Sequence, residues 1–165
     1  MNQKTFEQSK KDGGHQFLAS LAGEWQGMTK TWFEPDKLAD ESQTRATFRL
    51  VLDGRFVMQE YEGTLMGKKI QGIAIWGNHL QTGIFQRIWI DNFHMGTGMM
   101  LSEGSRIEHG INVIGSYHDS AGGQDWGWRT QLELAEPDTI VVTAFNISPE
   151  GHEAKAIETR YERVK

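Results

Sequence analysis

The amino-acid sequence predicts an all-β fold, a closed antiparallel β-barrel of about ten strands preceded by one short helix. Three observations carry this expectation. Polar and apolar residues alternate along most of the chain, as where Trp126, Trp128, Thr130, Leu132 and Leu134 oppose Gly127, Arg129, Gln131 and Glu133. Turn-forming dipeptides punctuate the alternating runs. The composition, with 19 Gly and 6 Trp but only 3 Pro in 165 residues, suits tightly turned sheet. Closure is favoured over an open sandwich because it removes the sheet edges that so few prolines could protect.

Taken in order, Met1–Gly14 is polar and reads as a flexible lead-in to a single domain over residues 15–165. In His15–Ala22, Phe17, Leu18 and Leu21 have helical spacing, and Gly23 ends that helix as a C′ glycine. Strands are predicted at Gly23–Phe33, Thr44–Leu52, Arg55–Gly63, Lys68–Gly77 and Ile84–Asp91. Five more are predicted at Met95–Ser102, Arg106–Tyr117, Trp126–Ala135, Thr139–Ile147 and Glu153–Arg163, with Glu103-Gly104-Ser105 as the break between the first two. Glu34–Ser42 reads as a long polar insertion with room for a short helical turn. A two-residue turn at Asp53-Gly54 sets Arg45 opposite Glu62. A second at Met66-Gly67 pairs Gly63 with Ile70, Tyr61 with Gly72 and Val57 with Trp76. Ala46, Phe48, Leu50, Val57, Gln59 and Tyr61 then share one face, with Phe56, Met58, Ile73 and Ile75 on the other.

Charge and composition narrow the function classes. Lys and Arg total 17 against 22 Asp and Glu, a net charge of −5 that lacks the basic footprint of a nucleic-acid binder. The absence of cysteine removes disulfides, thiolate metal sites and cysteine nucleophiles, and fits a reducing compartment. No apolar leader opens the sequence, and no apolar run approaches the roughly 20 residues of a membrane span. The expectation is a cytoplasmic protein without membrane contact.

Several segments, in order, carry a resemblance. Gly23-Glu24-Trp25 enters the first strand after a short helix, as in the calycin (lipocalin-like) barrels, whose Trp plugs the barrel end. Leu52-Asp53-Gly54-Arg55-Phe56 with Gln59-Glu60-Tyr61, then Trp89-Ile90-Asp91, then Glu158-Thr159-Arg160-Tyr161 follow. From about His15 onward, this set resembles the bacterial domain-of-unknown-function family 1579. The resemblance implies a lipocalin-like barrel and no particular reaction.

The candidate site residues are those expected to face a lumen: Gln59, Tyr61, Trp76, His109, Tyr117, Trp126 and Trp128. Apolar walls with a few placed polar groups are the usual design of a small-molecule site. Trp25 reads as structure, since burying about 200 Å² of indole at about 25 cal/mol per Å² yields several kcal/mol. His109 stands on the expected apolar face of its strand, as a core histidine or as a polar handle. Arg87, Trp89 and Asp91 share a face opposite Ile88 and Ile90. That face reads as solvent-exposed or, alternatively, as a buried Arg–Asp pair that could orient a carboxylate-bearing ligand. The histidines are scattered, and His152-Glu153 lacks the second His of a zinc-protease motif, so no metal site is predicted. No cofactor is assigned.

Three readings stay open. The first is a container for a small apolar or amphipathic ligand, fixed by Gln59, Tyr61 and His109. The second is a non-enzymatic module forming a homodimer through a sheet face. The third is an acid–base enzyme built on His109, aided by Tyr61 or by a carboxylate such as Asp91 or Glu60.

Overall fold

The alternating runs fold as ten strands, seen in a computed structural model that describes residues 5–165. They are β1 (Gly23–Glu34), β2 (Lys37–Val51), β3 (Phe56–Leu65), β4 (Lys68–Asn78) and β5 (Phe85–Asp91). The chain continues with β6 (Met100–Ile107), β7 (Gly110–Tyr117), β8 (Trp126–Glu136), β9 (Thr139–Ile147) and β10 (Glu153–Arg163). Every strand pairs antiparallel with its neighbours in sequence, and β1 also pairs with β10, which closes the sheet into a barrel.

The turn chemistry sets the register as expected. Arg45 lies opposite Glu62, Gly63 opposite Ile70, Tyr61 opposite Gly72 and Val57 opposite Trp76. At the β2–β3 turn, Leu52, Asp53 and Gly54 adopt φ of 51°, 56° and 85°. Gly supplies that left-handed conformation without steric cost, and Asp tolerates it. Ala46, Phe48, Val57 and Gln59 are buried inside, whereas Leu50, nearer the turn, is exposed.

Other expectations need correction. Two short helices, not one, precede the barrel: α1 (Phe6–Asp12) and α2 (Gly14–Ser20). Most of the expected lead-in is thus helical, and its first four residues lie outside the described ones. The cause is a capping box: Thr5 Oγ1 accepts the Gln8 N–H at 3.2 Å, and Gln8 Oε1 accepts the Thr5 N–H at 2.9 Å. The polar segment Glu34–Ser42 is no insertion but the tip of the β1–β2 hairpin, turning at Pro35-Asp36. Strands β6 and β7 are displaced from their predicted spans, because Gly104 does not break the chain. It sits within β6 opposite Val113, where a Cβ would stand 1.9 Å from the Asn112 carbonyl oxygen. The turn falls instead at Glu108-His109.

Helix α2 stoppers one end of the barrel. Its Phe17, Leu18 and the following Leu21 are buried, as is Trp25 at the start of β1. The indole N–H of Trp25 donates to the Leu21 carbonyl at 3.0 Å. Arg163, at the end of β10, lies over the same indole at 4.2 Å. It donates to the carbonyls of Ala22 at 2.6 Å and Ser20 at 3.1 Å, and pairs with Asp138 at 3.0 Å. These donors satisfy the carbonyls that a helix end leaves open. Gly23 is therefore not the C′ residue: the cap is Leu21, and Gly23 belongs to β1. A Cβ on Gly23 would come within 2.6 Å of Arg163 Nη1, so the glycine makes room for the guanidinium.

Two predictions follow from this end of the barrel. Arg163→Met keeps some of the stem packing but removes the charged donors, and should lower stability by about 2–4 kcal/mol in urea unfolding. The second concerns His15, which is buried against Ser9 and the edge of Phe6. Ser9 Oγ accepts the His15 backbone N–H, and its hydroxyl can donate to a neutral Nδ1 at 2.8 Å. Burial, aided by the positive charge of Arg55, lowers the His15 pKa from its ordinary 6.5. The folded state therefore binds this proton less readily than the unfolded chain. Its contribution is complete above pH 6.5 and declines as pH falls through that value toward the lower folded pKa. The urea midpoint should drop between pH 7 and 5, and His15→Gln should flatten that drop.

Candidate functional site

The barrel interior divides into a solid half and a hollow half. Leu18, Trp25, Phe48, Val57, Trp76, Phe85, Leu132 and Ile140 fill the end nearest the helices. Toward the other end the inward positions hold small polar side chains. Thr31, Thr44, Thr130 and Thr159 leave a cavity of about 70 Å³. It is bounded by Gln59, Tyr61, Arg87, Trp89, Trp128 and Tyr161, and toward its outer end by Leu65, Ile70, Val142 and Ile157. Gly72 of β4 makes space for one of these walls, because a Cβ there would stand 2.2 Å from the Tyr61 ring. A larger depression of about 950 Å³ lies along β1–β5, but it is wide open and bordered by exposed charges such as Arg45, Glu60 and Glu62. It encloses nothing.

The cavity wall carries an ordered polar network. The Trp89 indole N–H donates to Tyr61 Oη at 2.9 Å, and Tyr61 in turn reaches Asp91 Oδ2 at 3.5 Å. Asp91 Oδ1 accepts the backbone N–H groups of Phe93 at 3.2 Å and Met95 at 2.7 Å. Asp91 Oδ2 also meets His94 Nδ1 at 2.7 Å. These bonds fold the loop after β5 so that His94 comes over Trp89 and Trp128, with ring centroids 5.5 and 5.8 Å away. Trp89 and Trp128 stack at 5.4 Å. Burial and then the charge of Asp91 raise the Tyr61 pKa far above its usual value, so its hydroxyl stays a donor. Burial pushes Tyr161 up to about 12.

Arg87 is the exception in this network. It is 5% exposed and lies between the rings of Trp76 at 5.2 Å and Trp89 at 4.8 Å. Among the described residues its one hydrogen bond is from Nη1 to Thr130 Oγ1 at 3.3 Å, and Nε is enclosed without an acceptor. No ion pair to it is found among the described residues. Burial pushes its pKa down to about 10, so it remains charged at neutral pH. Each cation–π contact is worth about 2 kcal/mol when desolvated. Removing the charge from water costs several kcal/mol. The two rings offset only part of that cost.

The predicted site residues scatter accordingly. Gln59, Tyr61 and Trp128 line the cavity. Trp76 is fully buried in the solid half, where its N–H donates to Gln59 Oε1 at 3.1 Å. Tyr117 packs edge-on against Trp128 at 6.3 Å and donates to Asn146 at 2.6 Å, outside the cavity lining. Trp126 is half-buried at the start of β8, also outside the lining. His109 is corrected outright: it sits in the β6–β7 turn with its side chain 66% exposed, far from Tyr61. The misplaced strand break explains the error, because alternation was extended through a turn. Glu60 also points outward, toward Arg49 at 3.4 Å. An acid–base site built on His109 with Tyr61, Asp91 or Glu60 is therefore not assembled. Arg87, Trp89 and Asp91 do share a face, but it is the buried one, so the solvent-exposed reading is overturned. The inward threonines and His94 were not singled out. Their signal was present as Thr130 among Trp128 and Leu132.

Comparisons with known proteins agree with the architecture. The S-type phycobiliprotein lyase CPES from Guillardia theta superposes with a TM-score of 0.64 at 12% identity, covering 98% of this chain and 99% of that one. Rv2717c from M. tuberculosis gives a TM-score of 0.60 at 11% identity, covering 91% and 96%. At such identities the likeness establishes the fold. No curated protein matches the chain. Residues 10–163 match the family described as a protein of unknown function, DUF1579, and the chain belongs to that family.

Proposed function

We propose that this protein binds a small amphipathic molecule in the hollow end of its barrel. The observation that carries the reading is the contrast between the two halves of the lumen. Aromatic and aliphatic side chains pack one half solid, whereas small threonines and paired aromatics leave the other half open. A barrel wider than its side chains can fill is a natural container. CPES, a phycobiliprotein lyase by name, has the same fold, which is compatible with a ligand-holding role. Gln59, Tyr61 and Trp128, which line the cavity, are the expected contacts. Trp89 and His94 join them.

Titration with 1-octanol, a neutral amphipathic probe, should change the fluorescence of Trp89 and Trp128. Ala144 is buried and faces the cavity from β9. Ala144→Phe should fill the space and weaken octanol binding at least tenfold, at a stability cost below about 3 kcal/mol. An unchanged affinity in the folded variant would place octanol elsewhere and defeat the reading.

A specific surface feature favours a second, compatible reading: self-association as a homodimer. Met58, Ile75, Ile88 and Leu101 lie side by side across β3–β6 on the outer face, each paired with the next. Ile88 is 44% and Leu101 56% exposed. Contiguous apolar surface of this kind marks contact sites. A two-fold axis through the middle of the row lays it on itself. Light scattering should find a dimer that Ile88→Glu converts to a monomer. A wild-type monomer at high concentration would refute the interface.

A further inference from the structure

We propose that Arg87 anchors the anionic head of the ligand, and that the ligand class is a monocarboxylate with an apolar tail. The proposal rests on the container reading and assigns the chemistry of the same cavity. Arg87 is buried, lines the hollow, and holds a single hydrogen bond to Thr130. The nearby carboxylate of Asp91 attracts it through space but forms no ion pair with it. Asp91 spends its oxygens on two backbone N–H groups, His94 and Tyr61. The cation is thus built into the wall without an ion-pairing partner among the described residues, a costly arrangement that an incoming anion relieves.

The surroundings narrow the anion. There is one guanidinium and, among the described residues lining the cavity, no lysine or second arginine. One guanidinium can ion-pair one carboxylate, with Asp91 already offsetting part of its charge through space. A phosphate dianion would keep a surplus negative charge in a site that already contains Asp91. The planar guanidinium matches the planar carboxylate, and the hydroxyls of Thr44 and Thr159 flank the same space. Leu65, Ile70 and Ile157 line the way outward, which suits an aliphatic or aromatic tail pointing to the mouth.

The test compares octanoate with 1-octanol by calorimetry and Trp fluorescence, on the wild-type protein and on Arg87→Met and Arg87→Lys. The wild type should bind octanoate at least tenfold more tightly than octanol. Arg87→Met should lose at least tenfold for octanoate and nothing for octanol, with Arg87→Lys between. Without ligand, Arg87→Met should unfold at an equal or higher urea concentration, because an uncompensated charge has been removed. Should either variant fail to fold, the wild-type comparison still decides: octanoate must raise the urea midpoint and octanol much less. Equal binding of the two probes would overturn the anchor and leave the container intact. A loss of both probes in Arg87→Met would make Arg87 a packing residue and overturn the anchor. Binding of neither probe to the wild type would overturn the container and the anchor together.

Discussion

The pairing of β1 with both β2 and β10 is the constraint on which the rest of the structure depends. It leaves no free sheet edge, so every strand is held on both sides. It also sets the bore. Diameter grows with strand number, and ten strands enclose more space than an eight-stranded barrel, whose side chains just fill it. The chain answers with two different fillings. At the helix end, Trp25, Phe48, Trp76 and Phe85 occupy the bore outright. At the other end, threonines are too small to meet across it, and a cavity remains. Hollowness here follows from geometry and side-chain size together.

The closed end shows how the last strand is tied to the first strand and the helix. Arg163, at the end of β10, bonds to the carbonyls of Ser20, the last residue of α2, and of Ala22, and covers Trp25. One side chain thereby links the final strand, the helix and the first strand. The closure of β1 on β10 is reinforced where the two meet the stopper. Helix α2 is too short to be stable alone. It persists because its apolar face enters the bore and its end is capped by another element.

Much of the fold was legible because turn residues act locally. Asp53-Gly54 and Met66-Gly67 specify register with no reference to the rest of the molecule, and the pairs they predict are present. The errors arose where a local signal had two meanings. Gly104 looked like a break but is a strand glycine facing close backbone, and that closeness belongs to the tertiary structure. His109 was carried to the wrong side as a result. Thr5 and Gln8 did form a readable capping signal, hidden by the polarity of the segment around them.

The candidate site was harder to read for a different reason: β5 inverts the usual pattern. Arg87, Trp89 and Asp91 point into the barrel, while Ile88 and Ile90 face outward. Hydrophobicity alone assigns the isoleucines to the core and the charges to water. The neighbouring strands decide otherwise, because Trp76 lies opposite Arg87 and Ala74 opposite Trp89, and both residues of β4 are inside. Sheet geometry thus outweighs side-chain preference at this strand, and the molecule carries two compensating costs: buried charge within and apolar surface without. A sequence under selection for stability alone would exchange them. Local conflict with the fold is expected where a structure serves a further purpose. β5 concentrates that conflict on the two surfaces, one inner and one outer, that remain available to partners.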